Sequence, residues 1–93
     1  MTPEDFEASV IAEGYSPVVK VDRVAHANLG DHQHPFDACA LVTQGEFVIT
    51  VGGDSRCYQA GDIFRLPAGT VHQESAGPLG ASYMVGRRER GTT

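Results

Sequence analysis

The chain has 93 residues, of which 41% are apolar and 20% are charged, so it is expected to fold as one small domain over residues 1–93. Seven basic against twelve acidic residues give a net charge of −5, which argues against nucleic-acid binding because phosphate backbones repel an acidic surface. Since no segment resembles a signal peptide or the ~20 apolar residues of a membrane span, we expect a cytoplasmic protein with no membrane partner.

The first predicted element is a short helix over residues 3–13. Thr2 can cap this helix, and Gly14 can end it. Its apolar face is formed by Phe6, Val10 and Ile11. We expect the helix to be structural, packed on a sheet or against a partner subunit.

From Pro17 onward the sequence is typical of short β-strands separated by turns. Glycines favour a hairpin turn at residues 52–54, and further turns are predicted at 67–69 and 77–80. Predicted strands cover residues 18–26, 38–44, 46–51, 55–60, two segments within 61–75, and 81–88. Seven or eight such strands indicate an all-β sandwich or barrel over residues 18–86, followed by a solvated basic tail at 87–93.

Residues 38–42 form a continuous apolar run, which suggests a strand that is covered on both faces. Pairing of two small barrels would cover such a face and the edge strands as well. We therefore expect a homodimer, with the N-terminal helix as a candidate for its interface. The two cysteines, Cys39 and Cys57, are too few for a disulfide framework and are expected to stay reduced.

Three of the four histidines lie in positions that suggest a metal site. His32 and His34 are two residues apart, and residues at this spacing on a strand point to the same face. An HxH pair needs a third donor, and His72 follows a Pro–Gly turn that can bring it into the same barrel mouth. The fourth histidine, His26, is expected at the surface.

The sequence resembles the cupins, a family of small β-barrels with two histidine motifs. Gly61, Pro67, Gly69 and His72 stand at the spacing of the second motif, with Ala76 where the family has Asn. His32, His34 and Gly45 stand at the spacing of the first, with His26 in place of a Gly and Ala38 in place of a Glu. The resemblance implies a single-domain cupin-type double-stranded β-helix, or jelly-roll barrel. It also implies a divalent metal held by the two motif-one histidines, the glutamate and the motif-two histidine.

Alanine cannot coordinate a metal, so Ala38 leaves the fourth ligand open. In one interpretation His32, His34 and His72 bind a divalent Fe, Zn, Ni, Mn or Cu ion by themselves, as some cupin dioxygenases do. In a second, Glu74 either replaces the missing ligand or acts as a catalytic acid or base beside the metal, provided that it is not an exposed strand-end residue.

Two other interpretations place no ligand at position 74. Asp37 or Cys39 could complete the site only if a bulge turned one of them to the inner face. Alternatively, the pocket is free of metal, and its histidines hydrogen-bond a ligand or one another.

Two functions follow from this sequence. The first is a metal-dependent enzyme, dioxygenase-like, that acts on a small organic substrate. The alternative is a non-enzymatic small-molecule-binding or sensing cupin that resembles the ligand-binding domain of transcription regulators and needs a separate DNA-binding partner. No cluster of basic residues suggests a clamp for an anionic substrate, and Arg65 could face in or out of the barrel.

Overall fold

In the computed structural model, which describes residues 1–89, one helix is followed by six strands. The elements are α1 (Pro3–Ala12), β1 (Val19–Arg23), β2 (Asn28–His32), β3 (Phe36–Val51), β4 (Asp54–Gln59), β5 (Ile63–Leu66) and β6 (His72–Glu89). All strand pairings are antiparallel. The predicted all-β jelly-roll architecture with a short N-terminal helix is confirmed.

The strands β3 and β6 each run through two halves of the sheet. Residues 38–41 of β3 pair with β5 and with the end of β6, whereas residues 47–50 pair with β4 and with the start of β6. Similarly, β6 pairs with β2 near His72 and with β1 near Tyr83. Buried side chains from both halves form one cluster, so the halves face each other as the two sheets of the barrel.

The bends of β3 and β6 occur at glycines that the sequence pattern assigned to breaks between strands. Gly45 and Gly80 have φ angles of 74° and 78°, and a Cβ on Gly45 would lie 2.1 Å from the carbonyl oxygen of Gly80. Only glycine fits both the backbone angle and the close approach. The predicted turn at 77–80 is therefore a bend within β6, and residues 1–89 form six strands instead of seven or eight.

The helix α1 begins and packs largely as its sequence predicts. The Thr2 hydroxyl accepts a hydrogen bond from the Asp5 amide at 3.1 Å, and Phe6 and Val10 are buried. Ile11 is 47% exposed, so its predicted place on the apolar face is wrong. It follows Val10 directly and therefore lies about 100° further around the helix.

Two apolar clusters lie on opposite faces of β3. Inside the barrel, Ala38, Ala40 and Val42 join the core between the sheets. On the outer face, Cys39 and Leu41 pack under α1, in the cluster formed by Phe6, Val10, Tyr15, Cys39 and Leu41. The run at 38–42 is thus covered on both faces as predicted, but a helix of the same chain covers the outer one. It gives no argument for a homodimer.

The end of the barrel lies further along the chain than predicted. β6 continues to Glu89, one residue beyond the predicted strand 81–88, so Arg87 and Arg88 belong to that paired strand and not to the solvated tail predicted at 87–93. The rest of the predicted tail, residues 90–93, lies outside the described residues. Within residues 1–89, no helix is long and apolar enough to cross a membrane.

Candidate metal centre

Four side chains that can bind a metal meet between the two sheets. One donor atom from each of His32, His34, His72 and Glu74 lies within 4.8 Å of the others. The ring centroids of His32 and His72 are 4.2 Å apart, and those of His34 and His72 are 5.4 Å apart. The structure therefore brings together the three histidines and the glutamate that the sequence singled out.

Strand pairing and one turn position these side chains. His32, at the end of β2, is the direct cross-strand partner of His72, at the start of β6. Glu74 follows two residues later on β6 and so faces the same way as His72. The turn before His72 is closed by a hydrogen bond from the Thr70 amide to the Pro67 carbonyl, and the Gly69 amide donates to the His34 carbonyl at 2.9 Å. This turn ties the segment that carries His34 to the strand that carries His72.

Backbone carbonyls fix the orientation of two imidazoles. His32 Nδ1 donates to the Gly30 carbonyl and His72 Nδ1 donates to the Thr70 carbonyl, both at 2.8 Å. Each ring therefore presents Nε2 to the interior of the barrel. Such a contact at the far nitrogen is characteristic of metal-binding histidines, because it fixes the tautomer and the ring orientation.

Glu74 lies between these two imidazoles and is buried. Its Oε2 contacts His32 Nε2 and lies 3.2 Å from His72 Nε2. Because both Nδ1 atoms carry protons, the neutral rings would direct only lone pairs at the carboxylate. A proton or a metal cation has to lie between these donors. Three imidazole nitrogens and one carboxylate oxygen are a donor set that fits a divalent transition metal.

His34 lies at the opening of the cluster and stacks on Phe36, with ring centroids 4.9 Å apart. Burial, and then the neighbouring His72 and His32, lower the pKa of His34 below its usual value of 6.5. A lower pKa keeps the ring neutral, which is the form that binds a metal.

The other candidate ligands lie outside this cluster. Asp37 points away from the cavity. It accepts a hydrogen bond from the Ala68 amide at 2.8 Å and forms an ion pair with Arg88. Cys39 is fully buried beneath α1 on the outer face of β3. Neither residue is turned inward by a bulge. His26 lies in the turn between β1 and β2 and is exposed, as predicted.

A cavity of about 370 Å³ opens beside the cluster. Its wall includes His32, His34 and Glu74 from the cluster. Apolar and aromatic side chains form most of the remainder: Val21, Leu29, Phe36, Ala38, Phe64, Leu66, Tyr83 and Val85. Arg23 and Arg87 complete the lining. A small organic molecule would fit in this space next to a bound ion.

The sequence interpretation missed the two arginines of the cavity. Arg65, the candidate that it considered, forms an ion pair with Glu13 of α1 on the outside of the barrel at 3.3 Å. The missed signal was strand alternation, because Arg23 lies two residues after the inward Val21 and Arg87 two residues after the inward Val85. Treating residue 87 as the start of a tail concealed this pattern.

Comparisons with known proteins agree with this geometry. The family model described as the cupin domain matches residues 18–77, more than half of the chain. The structure of KdgF from Halomonas sp. is 29% identical, with a TM-score of 0.65 over 78% of this chain and 68% of that one. An RmlC-like cupin from Shewanella frigidimarina is 27% identical, with a TM-score of 0.66 over 80% and 67%.

A more distant likeness shows the fold alone. The cupin domain of Cnp3 from Schizosaccharomyces pombe is 15% identical, with a TM-score of 0.69 over 76% of this chain and 53% of that one. None of the curated proteins matches this sequence.

Proposed function

Because the chain belongs to the cupin family, we propose that it binds a divalent transition-metal ion through His32, His34, His72 and Glu74 and uses it on a small organic molecule in the barrel. The convergence of four donor atoms within 4.8 Å carries this proposal. Glu74 takes the place of the glutamate that the family has at position 38, since Ala38 cannot bind a metal and Glu74 contacts two of the three imidazoles.

The four proposed ligands and the apolar cavity wall determine which chemistry the site could support. A bound ion would supply Lewis-acid or redox chemistry, and four protein ligands leave about two positions of an octahedral ion for water or a ligand. The apolar wall around Phe64 and Leu66 limits the water that reaches the site. The contacts of Glu74 favour a ligand role over the role of catalytic acid or base, because an acid–base group has to be free to exchange its proton.

Metal analysis of the purified protein tests this proposal. We expect about one transition-metal ion per chain after dialysis, and loss of that ion in the His72→Ala variant. His26→Asn is the matched control, since His26 is exposed outside the cluster and asparagine tolerates its φ of 59°. Circular dichroism of each variant shows whether the barrel is folded.

Two results would contradict the metal centre. Full metal content in folded His72→Ala would exclude His72 as a ligand. A wild-type chain that carries no metal and takes up none from Fe, Zn, Ni, Mn or Cu salts would support the metal-free, ligand-binding alternative instead.

A further inference from the structure

We infer that the cavity beside the metal centre binds a small organic acid, whose carboxylate is attracted by the charges of Arg23 and Arg87 in the cavity wall while a second oxygen-bearing group faces the ion. Only the second contact rests on the proposed metal centre. The carboxylate subsite is argued from the arginines and the cavity wall.

Most basic side chains of the barrel surface are neutralised, but those of the cavity are not. Among residues 1–89, three basic side chains form ion pairs: Lys20 with Asp22, Arg65 with Glu13 and Arg88 with Asp37. Arg23, Arg56 and Arg87 form none within this range, and two of these three line the same cavity. The chain has twelve acidic residues for seven basic ones, so a shortage of carboxylates does not explain their unpaired state.

Arg23 is held in the cavity wall with part of its hydrogen-bonding capacity unused. Its Nη2 donates to the Tyr83 hydroxyl at 3.4 Å. Its Nε is buried, and no residue in the described part of the chain accepts a hydrogen bond from it. A buried donor of a charged group is unfavourable without an acceptor, and an anion in the cavity can supply one.

Arg87 lies at the mouth of the cavity, opposite the position where this sequence departs from the family motif. Its guanidinium lies 4.5 Å over the Phe36 ring. Its cross-strand partner is Ala38, the residue that replaces the motif glutamate. A glutamate at 38 would stand beside Arg87 and could neutralise it. Alanine leaves the charge of Arg87 unneutralised and leaves space beside it, so that the carboxylate of a bound ligand could take this place.

The charges around the cavity favour an anionic ligand over a neutral one. Glu74 is the only carboxylate among the described residues of the lining, and its Oε2 is already in contact with His32 and His72. The two positive charges of the guanidinium groups therefore exceed the single negative charge of Glu74, even when no ion is counted. The mostly apolar wall strengthens their attraction for an anion, because it lowers the local dielectric constant.

Calorimetry on the zinc-loaded protein tests this inference. The probes are oxalate, malonate, succinate and glutarate, each compared with its neutral diamide. We expect at least one acid to bind, and its diamide to bind at least about tenfold more weakly, since a neutral amide forms weaker hydrogen bonds with a guanidinium group than a carboxylate does. Elemental analysis after each titration shows that the acid has not removed the zinc.

Substitutions then locate the carboxylate. Arg23→Gln and Arg87→Gln should each weaken acid binding about tenfold or more without loss of zinc. Arg56→Gln is the matched control, because Arg56 is also unpaired among the described residues but lies on β4 away from this cavity. Ala38→Glu should weaken acid binding while zinc is retained, since the new carboxylate would fill the space between Arg87 and the ion that the carboxylate of the ligand needs.

Equal binding of acid and diamide, or unchanged acid binding in both arginine variants, would overturn the subsite. A protein that binds the acid but has no metal centre would be recognised by a different result. If the wild type holds no zinc, the titrations are done on the metal-free protein, where arginine-dependent binding of an acid supports the subsite and rejects the metal contact. If no acid binds with or without zinc, the inference is wrong.

Discussion

In the proposed site, Glu74 would preserve the metal-binding carboxylate of the family, and Ala38 would open space for a ligand. The family places a metal-binding carboxylate at position 38, whereas this chain has its carboxylate at 74, across the cavity on β6. Both positions face the same space, so the donor set can be retained while the wall beside Arg87 is opened.

Glu74→Gln tests this exchange directly. The substitution keeps the shape of the side chain but removes its charge, so we expect the affinity for zinc to fall at least about tenfold. Competition against a fluorescent zinc chelator measures the change. The double variant Ala38→Glu, Glu74→Gln should recover affinity, because it returns the carboxylate to the family position. An unchanged affinity in Glu74→Gln would favour the interpretation in which three histidines bind the metal alone.

The two cysteines should differ strongly in reactivity. Cys39 is fully buried beneath α1, and burial raises the pKa of its thiol, whereas Cys57 is exposed on β4. Because the thiolate is the reactive form, we expect a disulfide reagent at pH 8 to modify one thiol per native chain rapidly and the second only on unfolding. In Cys57→Ser the rapid phase should disappear. A rapid phase that persists in this variant would show that α1 does not protect Cys39.

The spacing of the motifs was enough to identify the histidines of the cluster. The arginines of the cavity could be identified only from the three-dimensional fold. His32, His34 and His72 follow a fixed spacing, which can be read without coordinates. Arg23 and Arg87 are 64 positions apart in the sequence and line the same cavity only because both β1 and the end of β6 turn one face inward. Strand alternation can assign each arginine to an inner face, but no local pattern brings the two to one cavity, so the sequence interpretation did not find them.

At the level of elements, the glycines that predict turns do change the direction of the chain, but not each of them ends a strand. Gly52 and Gly53 both have positive φ angles and form the predicted hairpin turn between β3 and β4. Gly45 and Gly80 also have positive φ angles, yet there the strands bend and continue. The difference is tertiary, because β3 and β6 pair side by side at these glycines, and a side chain on Gly45 would have no space beside the backbone of Gly80.

Gly45→Ala should therefore be much more damaging than Gly52→Ala. At Gly52 the added methyl meets no atom within 4 Å, so only the strained φ counts, at about 1–2 kcal/mol. At Gly45 the methyl also meets the Gly80 carbonyl, which raises the expected loss in the free energy of unfolding to about 2–5 kcal/mol. Urea unfolding of both variants measures the difference. Similar losses at the two positions would show that the close approach of β3 and β6 at Gly45 can relax.

For the whole molecule, the homodimer and the cytoplasmic location stay predictions. Although α1 covers the outer face of β3, other apolar side chains of the described residues remain exposed for a partner, among them Val19, Val24 and Leu79 at 54%, 77% and 92%. Val19 lies on the edge strand β1, where a second barrel could pair. Light scattering during size-exclusion chromatography should give the mass of two chains if this edge is an interface, and a mass of one chain would reject the dimer.

Because the two apolar clusters lie on opposite faces of β3, stability and metal binding should be separable. Phe6→Ala removes the centre of the cluster beneath α1, so we expect a loss of about 3–5 kcal/mol in the free energy of unfolding. The metal centre lies inside the barrel, and zinc at about 100 times its dissociation constant should still stabilise this variant by about 2.7 kcal/mol, as in the wild type. His72→Ala should lose that zinc-dependent gain instead, because it removes a ligand from the native state. Thermal unfolding with and without zinc distinguishes the two variants. Loss of the gain in folded Phe6→Ala would mean that the helix helps to hold the site, and that the barrel responds to metal as one unit.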